Sequence, residues 1–242
     1  MNKISIFGVD IVNITMDAAI SLISKLSVSK GKSKIFFVNT DCLNQAASNP
    51  QYFSALRQGD YVFGDGTGVR WASKWQKTPI VDNVNGTDML PLLCTLCQNK
   101  DLKLFLLGGA AGVAETMKAE LQKVYPRLNV VGTKDGFFNH ETESLDVVRE
   151  INEKSPHILL VAFGAPRQEL WIDRYFSDLE VPVIIGVGGL FDFFSGRIPR
   201  APLWVRKIGM EWIFRLIQEP RRLARRYLIG NLVFLWRMIF SR

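Results

Sequence analysis

An aspartate set among glycines, Gly64-Asp65-Gly66-Thr67-Gly68, closes a short apolar run and stands just before a helical pattern. A carboxylate held there can face a ligand and, with its geometry fixed, take a proton from an attacking hydroxyl. It can equally cap the helix that follows by accepting from free backbone amides, and spacing alone leaves both roles open. Other polar residues and glycines also follow apolar runs: Asn39, Thr40 and Asp41; Gly108 and Gly109; Arg167 and Gln168; Gly186, Gly188 and Gly189. Glycines in such places let a backbone approach phosphate closely, or simply make turns. Arg167 and Gln168 could hold ligand oxygens from a helix start, or belong to an ordinary helix begun by Pro166. The run GGAAGVAET (108 to 116) lacks the full GxGxxG spacing and is weak as a dinucleotide signal. There is no DxD to hold a divalent metal by carboxylates. Only His140 and His157 are present, and Cys94 and Cys97 share a helix-like run with no second pair, which argues against metal clusters and His-dependent nucleophiles.

The elements that must position these residues alternate. Residues 3 to 13 read as one or two short strands, and Thr15 to Leu26 as a helix. Apolar runs at 33–39, 61–64, 102–108, 129–132, 157–164 and 181–189 read as strands. Helical patterns begin near Asp41 and cover Val69 to Trp75, 111–124, 142–154 and 166–179. This predicts an α/β fold, a parallel sheet with helices on both faces, with ligands bound beyond the carboxyl ends of the strands. The one composition break, near Gly196, divides a core of residues 1–196 from a basic helical appendage, 197–242. That appendage carries ten Arg and Lys207 against Glu211 and Glu219, a net +9, whereas the remainder nets −2. It also holds Trp204, Trp212 and Trp236, so it suits an anionic, partly apolar partner such as a membrane surface, unless these aromatics pack on the core. The 14 residues from Tyr227 to Phe240 are too few for a span and include Arg237, which predicts an interfacial position. The first residues lack the apolar run of a signal peptide, and a cytosolic chain is expected.

Taken together, VNTDCLNQA, DYVFGDGTGVRWAS, VNGTDMLP, FLLGGAAGVAE, VAFGAPRQELWI, GVGGLFDFFSGRIPRAPLW and GMEWIFRLIQEPRRLARRYL resemble the WecG/TagA/CpsF glycosyltransferases across nearly the whole chain. The resemblance implies a Rossmann-like core with a C-terminal appendage that completes the site at the inner face of a bacterial membrane. It implies inverting, metal-independent and cofactor-free transfer of a sugar from a UDP donor to an undecaprenyl-diphosphate-linked acceptor in surface polysaccharide or teichoic acid synthesis. Asp65 matches the general base. Asn39 matches the strand-end Asn near it, Gln168 matches a pocket residue, and Arg215, Arg222 and Arg225 match arginines that meet the diphosphate, while Thr40, Gly66, Thr67, Asn85, Gly108, Gly109 and Arg167 are further candidates for binding substrate. A homo-oligomer is compatible with it, and a nucleic-acid partner is not expected. Phe37 and Asn83 stand where many members have Thr and Arg, which leaves the sugar open among N-acetylmannosamine, its uronate and other hexoses. The competing readings are a nucleotide-cofactor oxidoreductase, a nucleic-acid-binding protein and a noncatalytic lipid-binding scaffold.

Overall fold

The computed structural model describes residues 1–240, apart from the side chains of Lys207 and Arg222. An antiparallel hairpin comes first, β1 (Lys3–Ile6) and β2 (Val9–Val12). Its two-residue turn, Phe7-Gly8, has φ of 51° and 80°, the positive pair that matches the twist of hairpin strands. The helix α1 (Met16–Leu26) starts at Thr15, whose hydroxyl accepts from the Ala18 amide. From there the order is β3 (Ser33–Val38), α2 (Thr40–Ala46), α3 (Pro50–Arg57), β4 (Tyr61–Gly64), α4 (Thr67–Trp75) and α5 (Gly86–Asn99). It continues with β5 (Leu104–Gly108), α6 (Val113–Val124), β6 (Val130–Lys134), α7 (Ser144–Lys154), β7 (Ile158–Ala162), α8 (Arg167–Tyr175), β8 (Val183–Gly186) and α9 (Leu190–Phe194).

Strands β3 to β8 form one parallel sheet in the order β4-β3-β8-β7-β5-β6. The strands β3, β5, β7 and β8 are buried at every position, as strands covered on both faces must be. Their alternation feeds two cores. Phe36, Val38, Phe105 and Leu107 join the side chains of α2, α3, α7 and α8, whereas Ile35, Phe37, Leu104 and Leu106 join those of α1, α5, α6 and α9. The α/β fold expected from the alternation is therefore the fold observed. The chain leaves β4 at one edge and crosses to β5 on the far side, and β8 later fills the centre between β3 and β7. Because all six strands are parallel, their carboxyl ends line one rim.

The C-terminal segment folds back over that rim as α10 (Leu203–Lys207), α11 (Glu211–Gln218), α12 (Pro220–Ala224), a π-helical turn (Arg225–Ile229) and α13 (Gly230–Phe240). α13 packs along α2: Thr40 donates to Asn231 at 3.3 Å, Asn44 donates to the Gly230 carbonyl at 2.7 Å, and Arg237 donates to the Asn44 carbonyl at 3.0 Å. Phe234, 2% exposed, enters the same core as Phe36 and meets the Phe7 ring edge-on at 5.4 Å. Nearer its start the segment is pinned by Arg200 and Arg206, 2.6 and 3.1 Å from Asp88 on α5. The outer face of α13 leaves Leu232, Trp236, Ile239 and Phe240 exposed, and the neighbouring α4 exposes Trp71 and Trp75. Among the described residues no helix is long and apolar enough to cross a membrane.

Candidate active site

A cavity of about 700 Å³ runs along the rim. Its floor is made by the residues after β3, β4, β5, β7 and β8 and by the loop after β6, and its roof by the C-terminal helices.

Asp65 lines it at the β4 end. Its amide donates to the Val38 carbonyl at 2.8 Å, extending the β3–β4 ladder by one step, and the chain then turns at Gly66 with φ of 90°. Gly66, rather than Asp65, is the residue that starts α4, and no side chain caps that helix. The Gly66 amide is satisfied by Asn83, whose Oδ1 accepts it at 2.8 Å. The capping role that the sequence leaves open for Asp65 is therefore not the one it plays. Among the described residues nothing donates a hydrogen bond to its carboxylate, which keeps an open face toward the cavity. Burial and the charge of Glu211 push its pKa up to about 6, while the guanidinium groups of Arg215 and Arg226 pull the other way.

Those two arginines come from the appendage. Arg215, on α11, lies over the Phe193 ring with its guanidinium 5.0 Å from the centroid. Arg226, in the π-helical turn, stands 3.1 Å from Asp41 and donates to Asn39 Oδ1 at 3.4 Å. Burial works against the Arg226 charge, but Asp41 and more weakly Asp65 hold it protonated, so its pKa is raised. Arg226 was not among the candidates drawn from the sequence. Arg225, which was, is exposed and does not line the cavity, and the side chain of Arg222 lies outside the described residues.

Several other candidates hold the walls. Asn39 caps α2, accepting from the amides of Asp41 and Cys42 at 3.0 and 3.1 Å, and presents its remaining surface to the cavity. Gln168, 3% exposed, is a clamp: Oε1 accepts from the amides of Gly164 (3.2 Å) and Gly188 (2.9 Å), and Nε2 donates to Glu169 at 2.8 Å. Glu169 beneath it is fully buried, and its other oxygen has no hydrogen-bond partner among the described residues. Burial drives the Glu169 pKa up to about 7. Arg167 lines the cavity while donating to the Phe163 carbonyl at 3.0 Å. Gly109 lines it too, but its amide is spent on the Ala162 carbonyl at 3.0 Å. With the Gly109, Gly164 and Gly188 amides engaged inside the protein, the positive character of the cavity comes from guanidinium groups more than from glycine turns.

Thr40, Gly66, Thr67, Asn85 and Gly108 do not line the cavity. Thr40 binds α13, and Thr67 donates to the Gly209 carbonyl at 3.2 Å, so both anchor the appendage. Asn85 caps α5 through the Asp88 amide at 2.8 Å. Gly108 has φ of 124°, and a Cβ there would meet the Ala162 carbonyl oxygen at 2.6 Å, so the close passage of β5 beside β7 requires glycine. Phe37 forms part of the cavity wall. Among the described residues no group of three or more His, Cys, Asp or Glu side chains is arranged to hold a metal ion. Cys94 and Cys97 are buried in α5, and burial pushes both thiols up to about 12.

A family model described as "Glycosyl transferase WecG/TagA/CpsF family" matches residues 4–242. An N-acetylglucosaminyldiphosphoundecaprenol N-acetyl-beta-D-mannosaminyltransferase of Staphylococcus aureus (strain MW2) is 32% identical over 225 residues, covering 92% of this chain and 87% of that protein. A protein of the same name from Staphylococcus aureus (strain NCTC 8325 / PS 47) matches with the same identity and coverage.

Proposed function

This chain belongs to the WecG/TagA/CpsF family of glycosyl transferases, and from that premise we propose that it moves a hexose or N-acetylhexosamine from a UDP donor to the sugar of an undecaprenyl-diphosphate-linked acceptor. The observation that carries this reading is the meeting of Asp65 with Arg215 and Arg226 in one cavity, the carboxylate from the sheet and the guanidinium groups from the appendage. In the proposed reaction an acceptor hydroxyl attacks the anomeric carbon as UDP leaves from the opposite face. Asp65 removes the hydroxyl proton, and with a pKa of about 6 it is ionised at neutral pH while more basic than an ordinary aspartate. Negative charge grows on the departing diphosphate, where Arg215 and Arg226 stabilise it more strongly in the transition state than in the ground state. A planar guanidinium suits phosphate oxygens, and in this reading it takes the part a divalent metal plays elsewhere.

The donor sugar falls, in our reading, among N-acetylmannosamine, its uronate and other hexoses. The Staphylococcus aureus relatives are named for N-acetylmannosamine. Phe37 forms a wall of the cavity and Asn83 ties the Gly66 turn, so both shape the space where the sugar would lie. We also place the protein on the inner face of the cell membrane, held by the exposed apolar face of α13 and by basic residues worth about 1 kcal/mol each near an anionic leaflet. The test is a panel of UDP-sugars offered with a short polyprenyl-diphosphate-linked N-acetylglucosamine, with and without EDTA, and products read by mass spectrometry. One UDP-sugar should be transferred to the acceptor sugar with inverted anomeric configuration and undiminished by EDTA. No product from any UDP-sugar would remove the donor assignment, and loss of product in EDTA would remove the metal-free mechanism.

A further inference from the structure

The loop after β6 is stiffened by aromatic contacts. His140 stacks on Phe138 with centroids 4.4 Å apart and planes 5° from parallel, and it meets Phe163 edge-on at 4.7 Å. Phe163 in turn stands perpendicular to Trp171 at 5.6 Å. The backbone is tied down as well: the Gly136 amide donates to the Gly109 carbonyl at 2.9 Å and the Phe137 amide to Asp135 Oδ1 at 2.8 Å. A Cβ on Gly136 would come within 3.0 Å of the Phe163 ring, so the loop lies pressed against the end of β7. Out of this fixed loop Phe137 stands 80% exposed while lining the cavity. Its ring makes no aromatic contact among the described residues and belongs to neither core, so packing does not account for it.

Its place on the rim does. Asp65 follows β4 and Phe137 follows β6, the two edges of the six-stranded sheet. The loop folds back from β6 so that Gly136 lies against Gly109 and Phe163, after β5 and β7, which leaves three to four strand spacings to β4, roughly 14–19 Å before side chains reach inward, a distance that an elongated ligand can bridge and a single sugar cannot. One end of the cavity carries a carboxylate and two guanidinium groups, and the other an open aromatic ring. We propose that Phe137 is the platform on which the base of the nucleoside-diphosphate donor stacks, with the diphosphate lying back across the ends of β7 and β8 and the sugar at Asp65. This rests on the glycosyl-transfer reading above, because the sugar carbon that reacts must lie beside Asp65 and the base is then the part left for the far end. A flat ring stacks on any base, so Phe137 would hold the donor firmly without selecting uracil by itself.

The experiment is calorimetric titration of the full chain and its Phe137→Ala and Phe137→Tyr variants with UDP and, separately, with inorganic pyrophosphate, alongside donor and acceptor kinetics. Phe137→Ala should weaken UDP by roughly 5- to 150-fold, the range that one stacked base supplies. It should leave pyrophosphate binding unchanged, raise the donor KM with little change in kcat, and leave the acceptor KM alone. Phe137→Tyr should restore UDP binding. Because the side chain is exposed, the thermal midpoint of Phe137→Ala should equal that of the parent. Equal UDP affinity in parent and Phe137→Ala, or an effect confined to the acceptor KM, would overturn the stacking inference while leaving the transfer reading intact. A parent chain that binds no nucleoside diphosphate at all would overturn both.

Discussion

Asp65 and Glu169 are two carboxyl groups of one rim with different fates. Asp65 keeps a face open to the cavity and, in the proposed reaction, must be ionised to accept a proton. With its pKa near 6, kcat/KM should rise with pH through about 6 and level off above it, and Asp65→Asn should abolish that acid limb. The same variant should lower kcat by roughly 100- to 10,000-fold, the usual contribution of a positioned base, with the donor KM little changed. Glu169 is sealed beneath Gln168 with one oxygen unpartnered, and its pKa near 7 makes a different prediction, about stability. A carboxyl whose pKa is higher in the folded than in the unfolded chain favours folding below its unfolded value, and that support is lost as pH rises through the folded value. Relative to Glu169→Gln, the native protein should therefore lose thermal stability between about pH 4.5 and pH 7, by up to about 3 kcal/mol. Melting curves of the two proteins at pH 5 and pH 8 measure it, and a difference that does not change with pH would show that Glu169 titrates normally. The carboxylate at the strand end was legible in the sequence because glycines flank it. The buried acid was not, because nothing in FGAPRQELW distinguishes a glutamate on the core side of the helix from one in solvent.

At the scale of elements, the glycine turns and the C-terminal helices divide the work differently from what their sequences suggest. Gly164 and Gly188 give their amides to Gln168, and Gly109 gives its own to Ala162, so these turns define the shape of the cavity while arginines define its charge. Which arginines these are depends on how the helices break. The chain bends at Glu219, where φ is −130°, and widens into the π-helical turn at Arg225 to Ile229. The result turns Arg226 to Asp41 and the cavity and leaves Arg225 in solvent. Arg226→Ala and Arg215→Ala should each lower kcat by roughly 100- to 1,000-fold, as the loss of one preorganised charge-stabilising donor does elsewhere. Arg225→Ala should stay within a few-fold of the parent in the same assay. If Arg225→Ala is the damaging change and Arg226→Ala is silent, the geometry of this turn is not the geometry of turnover.

For the whole molecule, we propose that residues 197–242 act as a detachable roof that joins the lipid surface to the cavity. Its attachments are uneven. Phe234 is buried in the main core, whereas α11 has no buried residue and touches the cavity through Arg215. Deleting the chain after Gly196 should leave a folded sheet without turnover, at a stability cost that includes the loss of the Phe234 ring, about 3–5 kcal/mol for a buried aromatic of that size. Far-ultraviolet circular dichroism with an activity assay checks both halves, and a fully active truncation would refute the roof. The outer face of α13 offers a separate test. Leu232→Ser with Trp236→Ser should release the protein from vesicles containing anionic lipid, as read by flotation, while its melting curve stays close to the parent's because both side chains are exposed. Retention unchanged by that pair would move the lipid contact elsewhere.

From the sequence alone the parallel sheet, the rim of glycines and polar residues, the placement of Asp65 and the basic tail can be read, because strand burial, helical period and charge composition are local properties of the chain. One helix, α3, is signalled only by Asn49 followed by Pro50, a cap and a first-turn proline, and was not singled out. What tertiary structure alone decided is which groups face one another. The strand order places Asp65 and Phe137 at opposite ends of one cavity, and the π-helical turn selects Arg226 over its neighbour. The return of α13 onto α2 brings the tail's guanidinium groups over the carboxylate. These pairings join residues far apart in the chain, 187 positions for Arg226 and Asn39 and 191 for Thr40 and Asn231, and their cause is the packing of two cores against one sheet, which no local pattern of residues encodes.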